Sequence, residues 1–578
     1  MHKRADHFLY VALLALCAFP SLFLLRALDD NRLTSWQWVF QTADAGTVYL
    51  ALVAGITASY LASGTSLFER RPAVSLFILS FTAAALFWTT PETIVDAARY
   101  FSQAKHLEVY GTASFLEEWG KGIMAWTDLP LVPFLYGLIF TLFGESRLFI
   151  QIGTTALFSL TVVLTYLVGR DLWDRTVGLY AGLLLLGIPY LFSQVPLMLV
   201  DVPVMFFLML SVFTFIRALS RGGTGLLLAS SITIFLAFYT KYSLWIMLSL
   251  LPVILLVRLA AAPSSSAARG GEGAEALPQV QRGLVLRRAV LIASFALLMI
   301  GTFYCYKMDV FSGQLQLLMQ YQRPGLKRWG ESFASTFLFQ THPFITAAAL
   351  YSMYAAFKKK DVSYIIACWL LLLVVGMQIR RIRYLIMAFP MLALMASYGL
   401  REIRERRLAH FIVWCAVASS LVVAGCAYLP FLHRMSAANL KDAGEFLDTL
   451  EARAVDVYTL PVLHSPVNTT VAVPLLDLFT AKSIRHLHEP GESAPPGDVA
   501  TSPLRFTWEY VPPPFYSETP GGSERQEKAG AVVVIGEEPG QLLPDRIKRR
   551  TGEHRKVKAF ERTENIFQHR TVVTVYYD

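Results

Sequence analysis

Cysteine, charge and the usual cofactor loops are all scarce in this chain, and each shortage removes a class of protein. Among 578 residues there are five cysteines: Cys17, Cys305, Cys368, Cys415 and Cys426. All five fall in or beside apolar runs and none has metal-ligand spacing, so neither a disulfide framework nor a zinc module is implied. Charged residues make up 16% of the chain, against roughly 25% in soluble domains, which excludes an ordinary soluble globule. There is no P-loop, no Gly-rich dinucleotide fingerprint and no Gly-x-Ser-x-Gly elbow. The formal net charge is +9, but the basic residues sit mainly at the ends of apolar runs. There they act as topology signals and lipid-phosphate contacts, so nucleic acid is not read as a partner.

What is abundant is hydrocarbon. Hydrophobic residues are 55% of the sequence, and from Leu9 to Leu429 they recur in runs of about 20, enough to cross a bilayer. The expected spans are 8–27, 45–63, 73–90, 147–169, 177–195, 202–218, 224–240, 243–261, 288–304, 334–357, 362–378, 384–400 and 409–430. The first is read as an uncleaved helix, because no small-residue cleavage site follows it. Basic loops at 1–7, 68–72, 169–175, 217–223, 258–288, 358–360 and 401–407 all fall on one side of thirteen spans, and that side is taken as the cytoplasm. The short run Leu129–Phe143 breaks this register and is read as a re-entrant or interfacial helix flanked by Trp119 and Trp126 at headgroup depth.

The fold class expected is therefore a polytopic α-helical membrane protein of about thirteen transmembrane helices with a small C-terminal α/β domain. Residues 1–434 form the membrane domain, with an extracytoplasmic loop at 91–146 and a flexible cytoplasmic linker at 263–287, and residues 435–578 form an extracytoplasmic domain. In that domain Asn439–Leu450 and Gln541–Arg549 read as helices. Ala454–Thr459, Ala531–Gly536 and Thr571–Tyr577 read as strands, and Pro495–Gly522 as a long loop. The membrane expected is the cell inner (plasma) membrane.

Ionisable residues at the outer ends of the spans are the candidates for function, because charge at membrane depth is costly to keep. Asp96, with Glu92 one turn earlier and Tyr100 one turn later, begins an amphipathic segment; an exposed helix-capping Asp is the plain alternative. Asp201, in PLMLVDVP, opens another helix, where an N-cap is the plain alternative. Arg380, Arg381 and Arg383 with Tyr384 in QIRRIRYLIMAFP, Lys241 in YTKY and Arg323 in YQRP place cations outside, against the usual bias, where a phosphate is their natural partner. Interfacial snorkelling is the alternative for each of them alone. His342, before Pro343, is a lone histidine with phosphate contact as its one functional option.

In order and interval, several of these positions resemble the lipid-dependent glycosyltransferases of the GT-C type, similar to glycosyltransferase family 39. The resemblance runs over Thr89–Leu400. It rests on Asp96, Tyr100 and Gly111, the Leu-Pro-Leu to Phe-Gly-Glu-Ser stretch at 129–146, Asp201, Thr240-Lys241 and Arg383-Tyr384 with Pro390. One departure is plain: the family commonly has Asp-Glu where this chain has Asp96-Ala97. The resemblance implies an integral-membrane transferase that moves a sugar from a polyprenyl-phosphate donor to a lipid, glycan or protein acceptor, with inversion. Asp96 would be the base, Asp201 a second catalytic acid, and the outer cations the phosphate site. A divalent metal between Asp96 and Asp201 is allowed by the resemblance but not required. The rival class is a transporter or flippase of lipid-linked sugars, disfavoured by the absence of an internal repeat and of midplane charge.

Overall fold

Helices start where the sequence supplies a cap. Asp44 accepts from the backbone N–H groups of Gly46 and Thr47 at the head of Ala45–Ala62. Ser146 and Asp174 do the same for Arg147–Leu172 and Arg175–Leu185, each satisfying donors that the first turn leaves open. A computed structural model describes residues 2–65, 67–261, 281–322, 330–487, 504–517, 530–562 and 569–578, with a few isolated positions between them. Most of the linker expected at 263–287 lies outside these residues, as do Arg323 and parts of the 495–522 loop.

Every stretch read as a span carries helix. Among the described residues, eight helices are long and apolar enough to cross a membrane, including Ala45–Ala62, Asp201–Arg221 and Arg282–Tyr306. Pro72–Ala85, Arg175–Leu185, Thr224–Phe238 and Tyr364–Gly376 are shorter, and at 1.5 Å per residue they stop short of a full hydrocarbon thickness of about 30 Å. The count of thirteen crossings therefore stays a proposal. The bundle is layered by exposure. Ile382–Leu400 and Asp201–Arg221 are almost wholly buried at its centre, whereas Leu9, Leu14, Leu297 and Leu298 on peripheral helices stand 58–67% exposed. Such an apolar rim suits lipid.

Close packing depends on glycine at one crossing. A Cβ on Gly178 would lie 2.3 Å from the backbone oxygen of Tyr166 and 3.0 Å from the backbone nitrogen of Arg170, so Arg175–Leu185 and Arg147–Leu172 approach backbone to backbone. Gly178→Leu should cost at least the ~1–3 kcal/mol typical of overpacking, read as a lower thermal transition in detergent.

Leu131–Phe143 is a 13-residue helix packed along Asp96–Glu118. Its flanking tryptophans pack within the protein. Trp119 is buried with Phe115, Leu107 and Ile123, and Trp126 packs against Phe506 and Tyr510 of the C-terminal domain. The loop folds back on its own apolar surface and on the domain that covers it.

The C-terminal domain contains a five-stranded sheet in the order β2-β1-β3-β5-β4. Its strands are β1 (Ala454–Thr459), β2 (Ser483–His486), β3 (Ala531–Gly536), β4 (Lys556–Phe560) and β5 (Val572–Tyr577). β1 pairs in parallel with β2 and β3, and β5 runs antiparallel to β3 and β4. The Ala437–Asp448 helix packs on β5 and β4, while Asp545–Thr551 lies between β3 and β4 in sequence.

This domain is docked on the loop by a buried ionic knot. Lys105 reaches Asp477 at 2.6 Å and Glu145 at 3.0 Å, and the Tyr516 hydroxyl donates to Asp477 at 2.9 Å. Burial and the neighbouring Asp477 push the Glu145 carboxyl up to about 8, against the pull of Lys105. Glu145 therefore keeps its proton in the folded protein at neutral pH and gives it up on unfolding. The stability this contributes is complete below the ordinary carboxylate range and is lost as pH rises through about 8. The thermal transition should fall between about pH 5 and pH 8 and level off above, and Glu145→Gln should remove that part of the fall.

Candidate active site

The Asp96–Glu118 helix begins at the critical residue. Ala97, Ala98, Phe101, Ala104 and Leu107 face the protein and are fully or almost fully buried, a helical stripe that fixes its roll. Asp96, Arg99, Tyr100 and Gln103 project from the adjoining face. The helix breaks at Gly111, whose φ of 85° is open to glycine and strained for other residues.

Opposite it, Glu331 accepts a 2.9 Å hydrogen bond from the backbone N–H of Ile382 and pins the segment that carries Arg381 and Arg383. The Arg383 guanidinium bridges two carboxylates, donating from Nη1 to Asp96 at 2.5 Å and from Nε to Asp201 at 2.7 Å. Lys241 Nζ closes on the other oxygen of Asp201 at 2.7 Å. Asp201 heads its helix without capping it, since no side-chain cap bond forms there. On the loop side Arg99 holds Asp128 at 3.0 Å and approaches Asp96 at 3.7 Å. Four residues separated by up to 287 positions, Asp96, Asp201, Lys241 and Arg383, thus form one ion network.

The network faces a cleft partly open to solvent. Arg99, Lys241, Arg381 and Arg383 line it against Asp96 and Asp128, with Asp201 behind the wall. The Tyr384 ring lies between two cations, 5.4 Å from Lys241 Nζ and 5.5 Å from Arg381 Cζ. Val467, Leu504 and His569 of the C-terminal domain complete the lining, so this domain and Asp96 share one end of the molecule. Desolvation works against the charge on Asp96, but Arg383, Arg99 and Arg381 outweigh it and hold the carboxyl well below the usual carboxylate range.

Other expected residues lie elsewhere. Glu92 is buried and accepts from Arg147 at 2.9 Å and from the Met198 backbone N–H at 3.2 Å, which ties the start of the loop to the bundle. Arg380 is exposed, bonds Gln378 at 2.9 Å and is not part of the cleft lining. His342 caps the Pro343–Lys359 helix, its Nδ1 accepting from the Phe344 N–H at 3.1 Å, and it too is outside the lining. Arg99 and Asp128 were not singled out from sequence, although the (i, i+3) spacing of Asp96 and Arg99 was there to be read.

A metal does not fit between Asp96 and Asp201. Both carboxylates are turned onto Arg383, so a guanidinium stands where the ion would bind, and no cluster of three His, Cys, Asp or Glu occurs among the described residues.

Comparison with known proteins agrees with the fold. Residues 128–265 match the family of dolichyl-phosphate-mannose-protein mannosyltransferases. The structure of ArnT from Cupriavidus metallidurans bound to undecaprenyl phosphate superposes with a TM-score of 0.53 at 12% identity, covering 87% of this chain and 97% of that one. Its apo form gives 0.49 at 12% identity, covering 87% and 98%. The oligosaccharyltransferase AglB from Archaeoglobus fulgidus, in complex with an inhibitory peptide and a dolichol-phosphate, gives 0.43 at 12% identity, covering 82% and 70%. No curated protein matches. The chain is similar to GT-C glycosyltransferases of the family 39 and ArnT kind, a multi-helical membrane domain joined to a small C-terminal sheet domain.

Proposed function

We propose that this protein is a membrane glycosyltransferase that moves a sugar from a polyprenyl-phosphate carrier to an acceptor on the extracytoplasmic face of the inner membrane. The observation that carries the reading is the cleft's charge. Four cations, Arg99, Lys241, Arg381 and Arg383, line the cleft against two carboxylates, Asp96 and Asp128, while Asp201 and Glu331 stand behind the lining as counter-charges. A sugar phosphodiester brings one negative charge, and the ArnT structure similar to this one holds a polyprenyl phosphate.

In this reading the bond between the anomeric carbon and the phosphate oxygen breaks, and its electron pair stays on the phosphate. The new oxyanion is met by Lys241, Arg381 and Arg383, which stabilise charge as it develops. The acceptor hydroxyl oxygen attacks the opposite face of the anomeric carbon, inverting it, and its proton passes to Asp96. An ionised carboxylate of low basicity is adequate, because a hydroxyl becomes strongly acidic once its oxygen bonds to an electron-poor carbon. Asp201 acts as a positioning residue that orients Arg383 and Lys241. Docking of the C-terminal domain over the cleft limits water, which would otherwise hydrolyse the donor.

Binding tests the phosphate site. Arg381→Ala should weaken undecaprenyl phosphate binding by the 1.5–3 kcal/mol typical of a charge-assisted contact, roughly ten- to a hundredfold. Arg380→Ala, on the exposed side, should leave it unchanged. Equal effects of the two substitutions would count against this cleft. Topology is tested at Leu542, 87% exposed in the C-terminal domain: Leu542→Cys in a cysteine-free background should react with an impermeant maleimide from the extracytoplasmic side. Reaction only in inverted vesicles would place the cleft inside.

A further inference from the structure

At the end of the bundle opposite the cleft, four arginines line an open cavity of about 520 Å³. Two helices fix its place. Arg147–Leu172 starts beside Glu92 and brings Arg170 to the cavity from its last turn. Ile382–Leu400 carries Arg383 of the charged network at its head and is followed by Arg401 of the cavity. That second helix has 19 residues, about 30 Å at 1.5 Å per residue, which matches the hydrocarbon thickness. Cleft and cavity therefore lie at opposite headgroup levels, and in the proposed topology the cavity is on the cytoplasmic side.

The arginines converge from three segments: Arg170, Arg175 at the head of Arg175–Leu185, and Arg401 and Arg406 around the start of Arg406–Val423. Among the described residues, Asp174 alone brings a carboxylate to the lining. Counter-charges outside the lining are Glu69 and Asp171, bonded to its arginines, and Asp361, bonded to Trp173 of its wall. These bonds engage only part of each guanidinium. Arg401 Nη1 meets Asp174 at 3.1 Å, Arg406 Nη2 meets Glu69 at 3.0 Å, and Arg170 meets one oxygen of Asp171 at 3.3 Å. A guanidinium has five N–H donors, so each keeps donors for a ligand. A ligand can reach them, since the side chains of Arg170, Arg401 and Arg406 are 27%, 38% and 61% exposed. No side chain caps the Arg406–Val423 helix, and its first-turn N–H groups add positive potential at the same place. Arginines that only set topology can project freely among headgroups. These four border one hollow, and their planar forks match phosphate oxygens.

We propose that this cavity binds a phosphate group, as a phosphomonoester or phosphodiester, at the headgroup level of the leaflet opposite the cleft. The site does not depend on the sugar-transfer reading; only its assignment to the cytoplasmic leaflet rests on the proposed topology. Two sources share the chemistry: the headgroup of an anionic phospholipid reaching in from the bilayer, and a free phosphate from solution. Exposed ion pairs contribute little to stability, so Arg401→Gln and Arg406→Gln should fold as the wild type does. Arg404, exposed on the same loop but outside the lining, supplies the control: Arg404→Gln removes the same charge.

The full chain in lipid nanodiscs tests it with two probes. Native mass spectrometry counts phosphatidylglycerol retained from bilayers mixed with phosphatidylcholine, and equilibrium dialysis measures inorganic phosphate bound in phosphatidylcholine alone. Thermal melting checks the fold of each variant. At least one probe should bind saturably, with affinity about tenfold or more lower in Arg401→Gln and in Arg406→Gln and unchanged in Arg404→Gln. The same binding should survive Arg381→Ala, which separates it from phosphate held in the cleft. Phosphatidylglycerol retention with this dependence assigns the site to a lipid headgroup. Phosphate binding with this dependence and no lipid preference assigns it to a free phosphate. Saturable binding of neither probe, an equal loss in Arg404→Gln, or a loss in Arg381→Ala without one in Arg401→Gln would overturn the proposal.

Discussion

Asp96→Asn is expected to lower sugar transfer by about 10²–10⁴-fold, the usual worth of a positioned proton acceptor, with fold and undecaprenyl phosphate affinity retained. The substitution is nearly isosteric. Its amide oxygen still accepts from Arg383 Nη1, and Arg383 keeps Asp201. What is lost is a carboxylate in the cleft lining that Arg383, Arg99 and Arg381 hold ionised. For the same reason the wild-type rate should show no acid limb in the ordinary carboxylate range, because the group loses its charge only at a pH well below it. Wild-type turnover by purified Asp96→Asn, or an acid limb at the ordinary carboxylate value that the Asn variant lacks, would remove Asp96 from this role.

Arg383→Ala should do the greatest damage to stability. It leaves Asp96 and Asp201 facing one another with Lys241 and Arg99 at their far sides, and stranding buried carboxylates costs on the order of 3–5 kcal/mol. Arg383→Lys keeps the charge but cannot place two N–H groups on two carboxylates at once, so an intermediate loss is expected. Arg383→Met combined with Asp201→Asn removes charge in balance and should recover part of the thermal transition while transfer stays abolished. Thermal melting in detergent, read beside transfer rates, separates the two effects. A stable Arg383→Ala would mean that the network is not the structural hub of the cleft.

The helices were legible because apolar runs between basic loops leave the chain few alternatives in a bilayer. The members of the central network, Asp96, Asp201, Lys241 and Arg383, stood out as charges where charge is costly. Their mutual pairing did not, because it is made between positions far apart in sequence. RRIR offers three arginines in four positions, and long-range contacts, Glu331 on the Ile382 N–H and Asp96 and Asp201 on Arg383, go with Arg381 and Arg383 in the cleft lining and Arg380 outside it. β2 and β4 were missed for a related reason. They are the two edges of the sheet, with sequences SIRH and KVKAF, and edge strands carry the polar residues that hide a strand from an apolar-run reading. The packing of Trp119 on the loop itself and of Trp126 on the C-terminal domain was not legible either, because no local pattern contains those contacts.

The most direct test of sugar transfer uses the purified chain in nanodiscs with undecaprenyl-phosphate-linked sugars, with and without envelope glycans as acceptors, and follows free undecaprenyl phosphate and glycan mass together. A transferase working through Asp96 should give acceptor-dependent release of undecaprenyl phosphate, a matching gain of one sugar on the glycan, and loss of both in Asp96→Asn. Intact donor moved across a vesicle bilayer, with no bond broken and no dependence on Asp96, would contradict this and make the protein a carrier of lipid-linked sugars.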